Sequence, residues 1–219
     1  MELIARGREA DVYAVGEGWV LRRLRDADRS TAQEARTLRW LAAAGYPVPA
    51  VHASDGPDLV MQRLHGPTMA EALRRSPWRA AEYGAVLGRL HRELHELRAP
   101  EWLPPLADAG RAGDARVLHL DLHPENVLLT ADGPRVVDWT NARAGAPEVD
   151  VAMTSVILRC VELPLPTKLL LRVLLRSANR AAGADVRAGM PAATRHRLAN
   201  PTLGPGEIRL VQALQRRHG

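Results

Sequence analysis

The sequence predicts an α+β protein of two lobes, a small antiparallel-sheet lobe with one helix over residues 1–65 and a mainly helical lobe over residues 66–219. Three observations predict it. Short β-branched and aromatic runs separated by glycine turns crowd the first 65 residues. From Gly66 onward, apolar residues recur at helical spacing. A composition of 46% hydrophobic and 25% charged residues is that of a chain that buries a core, and 219 residues leave room for one large domain or two small lobes.

The elements follow in order. Leu3-Ile4-Ala5 reads as a strand, Arg6 to Ala10 as a turn, and Asp11 to Val15 as a second strand, which Gly16-Glu17-Gly18 turns into a third at Trp19 to Leu24. Ser30 with Gln33, or Thr31 with Glu34, has the spacing of a capping box for a helix carrying Ala35, Leu38, Leu41 and Ala42. Gly45, Pro47 and Pro49 end that helix, and Val51 to Ala53 and Leu59 to Met61 flank an Asp55-Gly56-Pro57 turn, giving five strands in all. In the second lobe Thr68-x-x-Glu71 is another capping box, and Ala80 to Leu97 carries Ala85, Leu87, Leu90, Leu94 and Leu97 on one helical stripe. Val117-Leu118, Val127 to Leu129 and Val136-Val137 are short β runs. Helical patterns follow at about 149–162, 167–181 and 206–217, with Pro164, Pro166, Gly189 and Pro191 as separators, and the sequence leaves the order of the Ala/Arg-rich stretch 176–199 open.

Composition narrows the function classes. No apolar run reaches the roughly 20 residues that span a bilayer and no signal-peptide core follows Met1, so a cytoplasmic protein without a membrane partner is expected. Cys160, the sole cysteine, sits in apolar surroundings and reads as a buried thiol. The formal charge is +5, with Lys168 the sole lysine among 30 Lys/Arg residues. Aromatics are 4% and no basic run of five appears, which argues against a nucleic-acid polymer as partner. The charge is uneven: residues 151–219 hold eleven Lys/Arg against Glu162, Asp185 and Glu207.

The densest polar cluster runs from His119 through Leu120, Asp121, Leu122, His123, Pro124 and Glu125 to Asn126, with apolar runs on both sides, and Asp138-Trp139 follows the next such run. Phosphoryl transfer needs a carboxylate to orient and deprotonate the attacking hydroxyl and hard oxygen ligands to hold Mg²⁺ against nucleotide phosphates. Asp121, Asn126 and Asp138 supply those groups. The alternation of His119, Asp121 and His123 also has the spacing of a metal site if all three lie on one extended strand, a rival that implies a metal-dependent hydrolase. His91 and His95 share a helix face, with packing or a solvated face as their expected role.

The cluster resembles the catalytic loop H-x-D-x-x-x-x-N of kinases, and with Asp138-Trp139 in the place of D-F-G the chain resembles the aminoglycoside phosphotransferase and choline kinase-like branch of the protein-kinase-like fold. The resemblance covers about residues 3–160. It implies a catalytic base at Asp121, magnesium ligands at Asn126 and Asp138, and an acidic brace for the loop at Asp150. It further implies a nucleotide-covering turn at Gly7 to Asp11, and a phosphate-holding basic residue at Arg22 paired with Glu34, Arg23 being the adjacent competitor. A hinge at Met61-Gln62-Arg63-Leu64 would bind the base of ATP or GTP. His119 is expected to brace the loop, and His123 to face the phosphates or hold the loop. Family kinases carry lysine where this chain has Arg22, and the wider, planar guanidinium is not an equivalent group. The expected activity is ATP-dependent phosphorylation of a hydroxyl on a small molecule such as a sugar, nucleoside, antibiotic or natural-product alcohol. A cationic aminoglycoside fits the basic C-terminal part less well. A protein or peptide serine kinase and a nucleotide-binding pseudokinase scaffold are the alternatives.

Overall fold

The computed structural model describes residues 1–7, 9–106, 113–161 and 164–218. In chain order the strands are β1 (Glu2–Arg6), β2 (Ala10–Val15), β3 (Trp19–Leu24), β4 (Val51–Asp55), β5 (Asp58–Gln62), β6 (Arg116–Leu118), β7 (Val127–Thr130), β8 (Gly133–Val136) and β9 (Arg143–Gly145). The α-helices are α1 (Ala32–Ala43), α2 (Met69–Arg75), α3 (Ala80–Glu96), α4 (Pro147–Arg159), α5 (Leu165–Ala182), α6 (Val186–Leu198) and α7 (Pro205–His218). The chain divides into two compact units, Met1–Pro67 with Val127–Thr140, and Thr68–Asn126 with Asn141–Gly219. The hairpin at 127–140 thus groups with the N-terminal unit, whereas the sequence reading places everything after residue 65 in one lobe.

In the first unit five strands pair antiparallel in the order β1-β2-β3-β5-β4. β3 buries Val20, Leu21, Arg22 and Leu24 and exposes Arg23, whose side chain lies on the face opposite that of Arg22. α1 buries Ala35, Leu38 and Leu41, the spacing that predicts it. The expected capping box at its start does not form. The Thr31 hydroxyl donates to the Asp58 carbonyl at 2.8 Å, and Ser30 Oγ accepts from Ala32 N–H at 3.2 Å, so Glu34 turns inward instead of capping. The β7–β8 hairpin is held by Leu129 N–H to Pro67 C=O at 2.9 Å and Val136 N–H to Pro47 C=O at 2.8 Å. Gly66, at φ 147°, lets the chain pass so close to β7 that a Cβ there would lie 2.1 Å from the Leu129 carbonyl oxygen.

In the second unit the Thr68–Glu71 capping box is present: Thr68 N–H donates to Glu71 Oε2 at 2.9 Å and Glu71 N–H to Thr68 Oγ1 at 3.1 Å. α3 packs on α5 through Gly84 and Gly88, where an added Cβ would meet the carbonyl oxygens of Leu174 and Ala178 at 2.2 Å. The region 176–199, whose order the sequence leaves open, forms the end of α5 and all of α6. Gly189 and Pro191, expected as separators, lie inside α6. Glycine at 189 lets α6 approach α4, where a Cβ would sit 2.0 Å from the Glu148 carbonyl. Asp185 caps α6, accepting from Arg187 N–H at 2.9 Å, and Pro191 follows within the early helix, where its missing donor removes one backbone bond. α4 begins at Pro147, two residues before the expected start, and Glu162 of that expected helix lies outside the described residues. β9 has no apolar run to announce it and forms by pairing with β6. Leu118, Leu120, Met153, Val156, Met190 and Ala193 close the core behind the catalytic-loop motif. Among the described residues no helix is long and apolar enough to cross a membrane.

Candidate active site

The first unit builds one part of the candidate site around Arg22. On β3 this residue points into the unit, with its side chain 9% exposed, while Arg23 points out to Asp58 at 2.5–2.6 Å, so strand alternation selects between the two arginines. Arg22 Nη1 donates to Glu34 Oε2 at 2.8 Å, and Nη2 donates to Asp138 Oδ1 at 3.2 Å and Thr140 Oγ1 at 3.0 Å. The Thr140 hydroxyl is also within 3.2 Å of Glu34 Oε2 and 3.0 Å of Asp138 Oδ1. Burial pushes the Glu34 carboxyl above its usual range, with the nearby Asp138 charge adding to it and Arg22 opposing it. A fork that can clamp one carboxylate with both arms here spreads over three oxygens, a geometry lysine's single ammonium does not reproduce. Asp138 adopts φ 64°, an unusual backbone for a non-glycine residue, with its side chain 42% exposed. Thr140 escapes sequence reasoning, since only its position two residues after Asp138 marks it.

The other expected nucleotide residues have plain positions. Met61 is buried on β5. Gln62 N–H bonds Ala50 C=O and Arg63 N–H bonds Gly18 C=O, both at 2.8 Å, and Gln62 Oε1 accepts from Ala50 N–H at 3.3 Å. Those donors are spent inside the sheet unit, and Leu64 follows them, half-buried. Of the turn from Gly7 to Asp11, Arg8 lies outside the described residues. Gly7 N–H bonds Ala10 C=O at 2.8 Å, and Arg25 ties the turn to β3 through Gly7 C=O at 2.8 Å and Asp11 at 2.6 Å.

The second unit holds the loop from His119 to Asn126. Asp150, on the first turn of α4, is fully buried; its Oδ1 accepts from Leu120 N–H at 2.6 Å and its Oδ2 from His119 N–H at 3.1 Å. His95 Nε2 lies 3.0 Å and His91 Nδ1 3.4 Å from the same Oδ2. Burial raises the Asp150 carboxyl, but these histidines overcome it and hold it well below the usual range. Leu120 takes φ 62° under this grip. Leu122 is fastened too: Thr154 donates to its carbonyl at 2.6 Å, so the Thr154 oxygen is left to accept from His91 Nε2 at 2.9 Å. His91, His95 and Asp150 offer ligand atoms within 4.8 Å of one another; His95 Nε2 is hydrogen-bonded to Asp150 Oδ2, whereas the buried His91 Nδ1 faces the same oxygen without a hydrogen-bond partner among the described residues. The two histidines therefore do more than pack.

This brace positions Asp121. Asn126 Nδ2 donates to the Asp121 backbone carbonyl at 2.9 Å and to its Oδ2 at 3.3 Å. Since both partners only accept, the amide nitrogen must face them, and Asn126 Oδ1 is the free atom of that side chain. His123 Nδ1 accepts from Glu125 N–H at 3.3 Å, and its Nε2 lies 3.4 Å from Asn126 Nδ2 and 3.8 Å from Asp121 Oδ2. Its ring is thus engaged within the loop. His119 Nδ1 accepts from Asp121 N–H at 3.2 Å, a bracing contact. Burial raises the Asp121 carboxyl, and His123, His119 and Arg197 together bring it below its usual value. Arg197 is a residue the sequence does not single out. It comes from α6, with Nη1 3.8 Å from Asp121 Oδ1 and Nη2 bonded to Glu207 of α7.

The rival metal site on one strand does not form. Residues 119–123 are outside any strand, Leu120 at φ 62° breaks the extended path, and His119 turns back onto the Asp121 amide. Magnesium, by contrast, takes hard oxygen donors. Asn126 Oδ1 is an oxygen of that kind within the second unit, and Asp138 Oδ2 is one within the first.

A family model described as the phosphotransferase enzyme family matches residues 1–110 and 93–184. Among curated proteins, the chain is 29% identical over 149 residues to the serine/threonine-protein kinase AfsK of Streptomyces coelicolor, a match covering 68% of this chain and 14% of that kinase. Among solved structures, a choline/ethanolamine kinase family protein from Mesorhizobium loti superposes with a TM-score of 0.64 at 18% identity, covering 99% of this chain and 85% of the other. The streptomycin–ATP ternary complex of APH(2")-IIa gives 0.64 at 14% identity, with 98% and 90% covered. At these identities the structural likeness is one of fold.

Proposed function

Because the chain belongs to the phosphotransferase enzyme family, we propose that it transfers the γ-phosphoryl group of ATP, or of GTP, to a hydroxyl of a small molecule. The observation that carries this is the braced loop: Asp150 fixes the backbone at His119 and Leu120, and Asn126 then fixes Asp121 from two sides. Asp121 is the catalytic base, receiving the proton of the acceptor hydroxyl as its oxygen attacks the γ-phosphorus. Asn126 and Asp138 would hold Mg²⁺, which when bound neutralises the charge of the transferring phosphoryl group. Arg22 binds nucleotide phosphates, Glu34 and Thr140 keep it aimed, and Met61, Gln62 and Leu64 line the base. His123 acts within the loop, keeping Asp121 ionised and oriented. ATP as donor is supported by the ATP complex of the similar APH(2")-IIa.

The acceptor is neutral or anionic. Among the described residues of 151–219 the acids are Asp185, which caps α6, and Glu207, which pairs with Arg197, so neither of these two carboxylates is uncommitted toward an aminoglycoside ammonium. The AfsK match makes a serine hydroxyl the second reading. A nucleotide-consumption screen over sugars, nucleosides, alcohols, aminoglycosides and serine peptides tests the activity. A hydroxylated compound should stimulate consumption, and Asp121→Asn should abolish it by about 10²- to 10⁴-fold while leaving nucleotide affinity unchanged. Turnover undiminished in Asp121→Asn removes the base assignment. Nucleotide binding without turnover of any acceptor makes the chain a scaffold.

A further inference from the structure

The two oxygens of Asp121 have different surroundings. Oδ2 is occupied by Asn126 Nδ2 at 3.3 Å and faced by His123 Nε2 at 3.8 Å. Oδ1 is faced by Arg197 Nη1 at 3.8 Å. That gap is too long for an N–H···O bond, yet a single oxygen atom about 2.8 Å from each side fills it. Arg197 is an unusual group to find there. Its side chain is 10% exposed, its Nη2 is bonded to Glu207, and its buried Nε has no hydrogen-bond partner among the described residues. A guanidinium has five N–H donors, and a buried one is ordinarily bonded through most of them. Glu207 supplies the charge that lets this arginine be buried, and the arm next to Asp121 is left without a bonded partner.

We propose that Arg197 is a second catalytic residue and the determinant of acceptor class: Asp121 Oδ1 and Arg197 Nη1 form a fork that receives one hydroxyl oxygen. The proposal rests on the reading of Asp121 as the base. The hydroxyl donates its hydrogen to Oδ1 and accepts an N–H from Nη1. As its oxygen bonds to the γ-phosphorus, the proton passes to Oδ1. The bond from that phosphorus to the βγ-bridging oxygen breaks, its electron pair stays with the nucleoside diphosphate, and the product is a phosphate monoester. The guanidinium stabilises the negative charge that gathers on the attacking oxygen. It also sets the acceptor chemistry. A hydroxyl flanked by other hydroxyls or by an acid tolerates a cation beside it, whereas one flanked by an ammonium is repelled. The fork therefore selects polyols and hydroxy acids over amino alcohols.

Turnover is measured in single-turnover format with water as acceptor, read as nucleotide hydrolysis, and with paired acceptors, glucose against glucosamine and glycerol against 3-amino-1,2-propanediol. The variants are Arg197→Lys, the double change Arg197→Gln with Glu207→Gln, which removes both charges without stranding a buried carboxylate, and Asp121→Asn. The double variant should lose about 10²-fold in the rate of transfer to water with unchanged nucleotide affinity, and Arg197→Lys should fall between it and the parent. Any preference for the hydroxylated member of a pair should shrink toward unity in the double variant. If the double variant fails to fold, the rate in Arg197→Lys decides alone. Unchanged rates in the Arg197 variants, with Asp121→Asn inactive, overturn the fork and leave the kinase reading standing. Undiminished rates in Asp121→Asn overturn both.

Discussion

Arg22 shows how one side chain can serve both stability and function. It is the buried partner of Glu34 and also touches Asp138 and Thr140, so its loss leaves a carboxylate stranded in a site that already disfavours charge. Arg22→Met should destabilise the protein by about 3–5 kcal/mol, read from urea midpoints, and adding Glu34→Leu should recover most of that loss, because removing both partners costs far less than removing one. Cys160 is the contrasting case. It is 2% exposed, and burial pushes its thiol up to about 11. Thiolate is therefore scarce at neutral pH, and a thiol reagent at pH 8 should modify native protein far more slowly than urea-unfolded protein. The buried character of this cysteine was readable from its apolar neighbours. The choice between Arg22 and Arg23 was readable only as strand parity, and Arg197 not at all: nothing in an Ala/Arg-rich segment distinguishes the arginine that meets Asp121 from those in solvent.

The helices of the second unit are fastened to one another at glycines. Gly84 and Gly88, one turn apart on α3, lie against carbonyls of α5, and Gly189 on α6 lies against the Glu148 carbonyl of α4. Because the obstacles are backbone atoms, no rotamer change makes room. Gly88→Ala should lower stability by about 1–3 kcal/mol despite alanine's better helix propensity, whereas the same change at a solvent-facing helical glycine would raise it. A rise in the urea midpoint of Gly88→Ala would show that α3 and α5 can part without cost. The same contacts explain which elements were legible. The five strands of the sheet, α1 and the amphipathic α3 announce themselves by alternation or by a 3.6-residue stripe. Gly189 and Pro191 read as breakers because local propensity disfavours them in a helix, but close packing on α4 requires the first, and α6 continues through the second with one backbone hydrogen bond fewer. Thr31 likewise has a capping residue's chemistry, and a nearby carbonyl, Asp58, claims its hydroxyl instead.

At the scale of the whole molecule, stability and the catalytic loop share one buried charge. Asp150 stays ionised well below the ordinary carboxylate range, so its contribution is complete above about pH 4 and is lost as pH falls through its lower native value. Burial pushes His91 below the ordinary histidine value, so the unfolded chain binds that proton more readily and stability declines as pH falls below about 6.5. Urea midpoints measured from pH 8 to pH 3 should fall in two stages. His91→Asn should flatten the first and Asp150→Asn the second; a single stage unaffected by either change would show that the brace carries no titrating load. The carboxylates and amide of the site could be picked out in the sequence because phosphoryl transfer demands those groups in that order, while the histidines behind them, 55 residues before Asp150 in the case of His95, gave only a helix-face spacing. One further feature bears on how the protein can be taken apart. The N-terminal unit needs the 127–140 segment, whose amides bond the carbonyls of Pro47 and Pro67. A gene cut after codon 67 would accordingly yield a fragment missing two of its strands and the aspartate at 138. Recombinant halves should regain the native circular-dichroism signal only when the shorter piece is supplied with that distant hairpin through a grafted linker.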